Sequence, residues 1–266
     1  IHSSDESIIV HSSSLVTTSG ATTANGRHTG SMARAGVSAG VAPQLLAAGS
    51  PAVTTIAVNW ASVNLTPASD SVNNQKRSVQ LHAGLVPTGS RVLDLGCGSG
   101  ETLAYLRDRR QCTGYGIEIA DANVLACEQR GVNVIQLNLE EGLAIFDDQS
   151  FDVVLQIDTL QHLRNTERML AETARVGRIG IVTFPNFAHW PNRLSVIRGR
   201  MPVTKALPYE WYDTPNIRVS TYADFEVLAR RCGLRILDAF GIQLGAPVRL
   251  CPNLLASVAV FKFERA

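Results

Sequence analysis

The stretch Val92-Leu93-Asp94-Leu95-Gly96-Cys97-Gly98-Ser99-Gly100 constrains this chain more than any other. A short apolar run meets three glycines at alternate positions, and Glu101 then opens a segment of helical spacing with Leu103 and Leu106 inward. Glycine accepts positive φ and lets a ligand come against the main chain. The helix that follows offers unpaired N–H groups and a partial positive charge to an anion. In a dinucleotide fold that anion is a pyrophosphate, and the spacing is G-x-G-x-x-G. Here the spacing is G-x-G-x-G, and Asp94 stands two positions before Gly96. A carboxylate there repels a diphosphate and suits an amino group. A ligand with both ammonium and carboxylate, such as the methionine end of S-adenosylmethionine (SAM), satisfies the helix start and Asp94 together. The same spacing disfavours a dinucleotide-dependent oxidoreductase.

Strands and helices alternate through the rest of 88–263. Strands are expected at Arg91–Leu95, Thr113–Glu118, Asn133–Leu137, Phe151–Ile157, Ile179–Phe184, Leu234–Phe240 and Ser257–Phe263. Helices are expected over Glu101–Arg110, from a cap at Asp121 to about Arg130, over Thr166–Val176, and from a Thr221/Asp224 capping box to Arg231. This order predicts an α/β fold, a doubly wound, mostly parallel seven-stranded sheet. A short irregular link before the last strand predicts an antiparallel pair at one edge.

Such sheets bind ligands beyond the carboxyl ends of their strands, at the topological switch point. Glu118, 24 residues after Asp94 and at the tip of the second strand, is placed to accept both ribose hydroxyls. Asn138 and the Leu139 N–H, after the third strand, are placed for an adenine ring; a plain loop role fits Asn138 equally. Gln156 through His162, at the end of the fourth strand, should face the pocket. Cys97, inside the glycine turn, joins Asp94, Gly96, Gly98, Gly100, Glu118, Asn138, Leu139 and Gln156 as expected cofactor contacts. His162 and His189 are candidate general bases, with Tyr209, Tyr212 and Asp213 behind them; structural or surface histidines are the competing reading. The segment 207–216 reads as a substrate lid, a partner-docking patch or a packed loop.

Residues 1–75 differ. They are rich in Ser, Thr, Ala and Gly, with Trp60 as the only aromatic residue and no sustained periodicity. Such a segment buries too little apolar surface to offset its ordering entropy. It reads as a disordered tail before a domain spanning 76–266; a targeting segment is the alternative. A net charge of +1 with no long basic run argues against nucleic acid or an anionic membrane as partner. No run of about 18 apolar residues occurs. The five cysteines form no C-x-x-C pair, so neither a disulfide framework nor a metal site is expected.

These residues, in this order, resemble the class I SAM-dependent methyltransferase superfamily. The segments Phe184-Pro185-Asn186-Phe187-Ala188-His189-Trp190, Arg200-Met201-Pro202-Val203-Thr204 and Leu207-Pro208-Tyr209, with Trp211-Tyr212-Asp213-Thr214-Pro215-Asn216-Ile217, resemble the methionine biosynthesis protein MetW family. The resemblance covers about 78–240. It implies a SAM-binding fold, a cytoplasmic bacterial setting, and a role beside homoserine O-acyltransferase as partner. It carries cofactor positions onto Asp94, Gly96, Gly98, Gly100 and Glu118. Ser99 and Asn138 stand where the family usually has Asp, and Arg218 where relatives tend to have His, so Arg218 is assigned no role. Two functions remain open: a SAM-binding subunit of the acyltransferase, or a methyltransferase for an unknown small molecule.

Overall fold

The computed structural model describes residues 77–266 and, at the level of backbone, Val10–His11. The expected tail, apart from that pair, lies outside the described residues. Residues 77–84 are helical. The strands are β1 Val10–His11, β2 Arg91–Leu95, β3 Thr113–Glu118, β4 Val134–Gln136, β5 Phe151–Ile157, β6 Gly177–Pro185, β7 Leu234–Gln243, β8 Ala246–Val248 and β9 Val258–Arg265. The helices are α1 Glu101–Arg110, α2 Asp121–Gln129, α3 Thr166–Val176, α4 Trp190–Ile197, α5 Tyr222–Arg231 and the single turn α6 Pro252–Leu255.

The sheet runs β1-β4-β3-β2-β5-β6-β9-β7-β8. Strands β2 to β6 are parallel, β9 pairs antiparallel with both β6 and β7, and β7 turns back into β8. From β2 the chain builds outward through β3 and β4, then returns to lay β5 on the other side. The switch point therefore lies between the carboxyl ends of β2 and β5. Side chains alternate across β2: Val92 packs with Leu103, Leu106 and Val153, whereas Leu93 and Leu95 pack with Phe151, Met169 and Val176. Both faces are thus covered, as a parallel sheet requires. A third cluster fixes the antiparallel edge, where the Phe261 ring lies 4.6 Å from Tyr222 and 4.5 Å from Phe225.

The expected bounds of α1 and α3 agree with the structure, and α3 has Asn165 Oδ1 accepting from the Arg168 N–H. Thr221 caps α5, its hydroxyl accepting from the Asp224 N–H at 3.1 Å and donating to Asp224 Oδ2 at 2.7 Å. Two expectations are corrected. Among the described residues the sheet has nine strands rather than seven, because β1 and β8 are too short to show a period; β8 forms across Leu244 and Gly245, both at positive φ. Asp121 does not cap α2: Ala120 occupies that position, and Asp121 instead accepts from Gln136 Nε2 at 2.6 Å. A helix not expected from the sequence, α4, begins at Trp190 with Pro191 in its first turn, where the fixed φ of proline suits a helix start.

Candidate functional site

The glycine turn leaves β2 with Gly96, Gly98 and Gly100 at φ of 74°, 54° and 77°. At Gly96 the requirement is double, since a Cβ would also lie 2.8 Å from Thr159 Oγ1. At Gly100, the residue before α1, it would lie 2.8 Å from Cys127 Sγ. Thr159 donates to the Leu95 carbonyl at 2.7 Å, so the ends of β2 and β5 are tied side by side. Beyond them opens a cavity of about 450 Å³, within the range of small-molecule sites. Gly96, Glu118, Asn123, Asn138, Asp158 and His162 line it, with Ile117, Ile119, Leu137, Leu139 and Leu163 as an apolar wall.

Asp94 is 2 % exposed, and its Oδ1 has no hydrogen-bond partner among the described residues. Burial, and then the nearby Glu118 charge, push its carboxyl up to about 7. A buried acceptor left unmatched is costly unless something absent completes it. Glu118, by contrast, is engaged. Its Oε2 accepts from the Gly98 N–H, and its Oε1 accepts from the Ile119 and Ala120 N–H groups, each at 2.9 Å. A carboxylate has about four acceptor positions. Glu118 therefore has room for one further hydrogen-bond donor as it stands, and for two if Gly98 is released. Asn138 Oδ1 accepts from the Glu140 N–H at 3.0 Å, and Leu139 opens a short 3₁₀ turn at the cavity wall.

Of the expected contacts, Gly96, Glu118, Asn138 and Leu139 line the cavity, Asp94, Gly98 and Gly100 stand outside its lining, and two others point elsewhere. Gln156 is fully buried and its Nε2 donates to Thr173 Oγ1 of α3, so its side chain leaves the sheet on the helix side instead of entering the cavity. The strand period placed it correctly at the strand end but not on a face. Cys97 offers the site its backbone only: its Sγ packs where a Gly116 Cβ would sit, 2.3 Å away, and lies 3.8 Å from Cys127 Sγ. Desolvation, followed by the charge of Asp94, raises the Cys97 thiol far above its ordinary value, so it stays protonated.

The two histidines also separate. His162 lines the cavity, and its Nδ1 donates to the Pro215 carbonyl at 3.1 Å, which leaves the Nε2 lone pair available when the ring is neutral. His189 is 6 % exposed, precedes α4, packs edge-on to Trp190 and is absent from the cavity lining. The 200–219 segment is pinned to the same turn, because the Ile217 and Arg218 N–H groups both donate to the Gln161 carbonyl. Its aromatic residues nevertheless stay open: Trp211 and Tyr212 are 69 % and 70 % exposed, which removes the packed-loop reading for them. Sequence reasoning assigned no role to Asp158 or Thr159 individually. Asp158, the first residue past β5, has a positive φ of 52° and lines the cavity.

Residues 76–263 match the family model "Methionine biosynthesis protein MetW". A bifunctional methionine biosynthesis protein MetXA/MetW from Rhodopirellula baltica is 38 % identical over 195 residues, covering 68 % of this chain and 31 % of that protein. A phthiotriol/phenolphthiotriol dimycocerosates methyltransferase from Mycobacterium ulcerans is 33 % identical over 138 residues, 46 % of this chain and 49 % of that one. The chain thus spans about a third to a half of these curated relatives. Among solved structures, a SAM-dependent methyltransferase from Thermotoga maritima aligns with TM-score 0.54 at 17 % identity, over 74 % of this chain and 94 % of that one. Magnesium protoporphyrin IX methyltransferase from Synechocystis, solved with S-adenosylhomocysteine bound, aligns with TM-score 0.53 at 17 % identity, over 76 % and 90 %. The glycine turn, the switch-point cavity and the family match together make this chain a member of the MetW methionine biosynthesis family built on the SAM-dependent methyltransferase fold.

Proposed function

We propose that the cavity binds SAM and that the chain acts in methionine biosynthesis as a SAM-responsive partner of homoserine O-acyltransferase. The observation that carries the binding reading is the buried Asp94 oxygen without a partner, two residues before the first of three positive-φ glycines. An ammonium group completes Asp94, and the positive end of the dipole at the start of α1 receives a carboxylate. Glu118 holds a ribose hydroxyl, and the apolar wall with Asn138 and the Leu139 N–H takes the adenine. When bound, SAM supplies an electrophilic methyl on sulfur. The fusion of MetXA with MetW in the Rhodopirellula relative supports the partnership, since two activities joined in one chain are held together. A cytoplasmic bacterial setting belongs to the same proposal.

A second reading, methyl transfer to a small acceptor, is favoured by His162, whose ring is oriented by Pro215 and faces the cavity. In that case the side chain of His162 takes a proton from the acceptor as it is methylated, and in-line positioning supplies most of the rate. Calorimetry with SAM, and with NAD as control, tests the site: saturable 1:1 binding of SAM alone is expected, and NAD binding without SAM binding overturns it. Mixing the chain with the acyltransferase, its substrates and SAM separates the roles. Altered acyl transfer without S-adenosylhomocysteine release supports the partner role; steady release with an added acceptor supports the enzyme.

A further inference from the structure

Asp158 is the residue that the proposed site does not yet use, and several observations set it apart. It follows β5 directly and lines the cavity beside Gly96, which follows the neighbouring strand β2. Its φ of 52° lies in the left-handed region, which Asp and Asn enter more readily than other side-chain-bearing residues, and the backbone is held from three directions. Its N–H donates to the Thr183 carbonyl at 3.1 Å and to Thr183 Oγ1 at 3.2 Å, while its own carbonyl accepts from Gln161 Nε2 at 2.8 Å. The backbone is thus clamped in a conformation that turns the side chain into the cavity.

The other acids around the cavity are spoken for. Glu118 accepts three backbone N–H groups, Glu140 Oε1 accepts from the Arg164 N–H, and Asp94, buried in β2, is not among the residues that line the cavity. Asp158 has no hydrogen bond to its carboxylate among the described residues; His162, one 3₁₀ turn on, is its electrostatic neighbour. Neither Lys nor Arg lines the cavity. A nucleoside with adenine at Asn138, ribose at Glu118 and its amino-acid end at Gly96–Gly100 carries its sulfur between the last two, beside Gly96 and so next to Asp158.

Resting on the SAM reading, we infer that Asp158 makes the cavity selective for the sulfonium of SAM over the neutral thioether of S-adenosylhomocysteine. The two ligands differ by one methyl group and one positive charge. Burying the methyl favours SAM about four-fold. A carboxylate near the sulfur adds roughly ten-fold more through solvent-weakened attraction. A protein so built responds to the methylated ligand and resists the spent one. That property suits a reporter of SAM level, and equally an enzyme relieved of product inhibition.

The test measures both dissociation constants by calorimetry at pH 8 for the wild type, Asp158→Asn and Asp158→Glu. Asn tolerates the left-handed backbone as Asp does, so the fold is retained, and a thermal melt checks it. The wild type is expected to prefer SAM. Asp158→Asn should shrink the preference about ten-fold by weakening SAM alone, and Asp158→Glu should keep most of it. On the wild type alone, the preference should fall between pH 8 and pH 5. Asp158 is open to solvent through the cavity mouth yet ringed by protein, and that desolvation raises its carboxyl to about 6, with the His162 charge pulling the other way. Glu118, Glu140 and His162 line the same cavity, and the buried Asp94 lies near Glu118, so the pH curve is read against that of Asp158→Asn. Equal weakening of both ligands in Asp158→Asn, or an unmoved ratio, overturns the inference alone. Failure of the wild type to bind either ligand overturns the SAM reading and this inference with it.

Discussion

Replacing Asp94 by Asn should stabilise the ligand-free protein at high pH while it cripples binding. In the folded chain the carboxyl is raised to about 7 from an ordinary 3.8, mainly by burial and then by the Glu118 charge. The folded state therefore binds this proton more tightly than the unfolded chain does. The resulting penalty is absent below the unfolded value, grows as pH rises between 3.8 and about 7, and is complete above that. At pH 8 it amounts to about 4 kcal/mol and at pH 5 to about 2 kcal/mol. An Asn in the same place leaves amide groups unmatched, at a cost of about 1–3 kcal/mol. The net gain is about 1–3 kcal/mol at pH 8 and near zero at pH 5. For a domain of this size the gain at pH 8 raises Tm by roughly 3–8 °C. Melting curves of both proteins, without ligand, at the two pH values provide the assay, with SAM calorimetry alongside. A loss of stability that is the same at both pH values, with SAM affinity unchanged, refutes the reasoning.

Gly100→Ala should cost about 1–3 kcal/mol, from its positive φ and the contact with Cys127 Sγ. Adding Cys127→Ala should return only the contact part, and urea unfolding of the single and double variants measures the split. Asn186→Ala should cost about 3 kcal/mol or more, because the buried Asn186 amide donates to the Pro252, Asn253 and Ala256 carbonyls and accepts from the Ala188 and Tyr222 N–H groups. Denaturant midpoints check it, and a loss under 1 kcal/mol contradicts the assignment. His162→Ala should leave Tm within about 2 °C but speed tryptic cleavage at Arg200 and Lys205, since it removes the hydrogen bond to Pro215 that helps hold the 200–219 segment. Unchanged cleavage kinetics would show that this bond does not restrain the segment.

The parallel half of the sheet was readable from residue order because its strands are short, largely apolar segments that alternate with segments of helical spacing. Leu103 and Leu106, or Asn165 before Thr166, mark helix faces and starts without reference to the rest of the fold. The same local logic failed at Asp121, whose carboxylate is taken by Gln136 of β4, fifteen positions away, while Ile119 and Ala120 donate to Glu118 just before them. It failed at β1 and β8 because two or three residues carry no period. The positive-φ turn at Gly96, Gly98 and Gly100 was legible from the glycine spacing, and Gly96 and Glu118 line the cavity as their places at strand ends predict. Gln156 and Asp158 show the limit: both sit at the end of β5, and only the pleat and the left-handed turn decide that the first faces α3 and the second the cavity. The link from His162 to Pro215 joins residues 53 positions apart, which no local pattern records.

Amide NMR of the folded chain during titration with S-adenosylhomocysteine tests the central claim most directly. Saturable shifts centred on Gly96, Gly98, Gly100, Ile119 and Leu139, abolished by Asp94→Asn, are the expected result. Shifts that cluster elsewhere, or amides of the glycine turn that stay still at saturating ligand, contradict it.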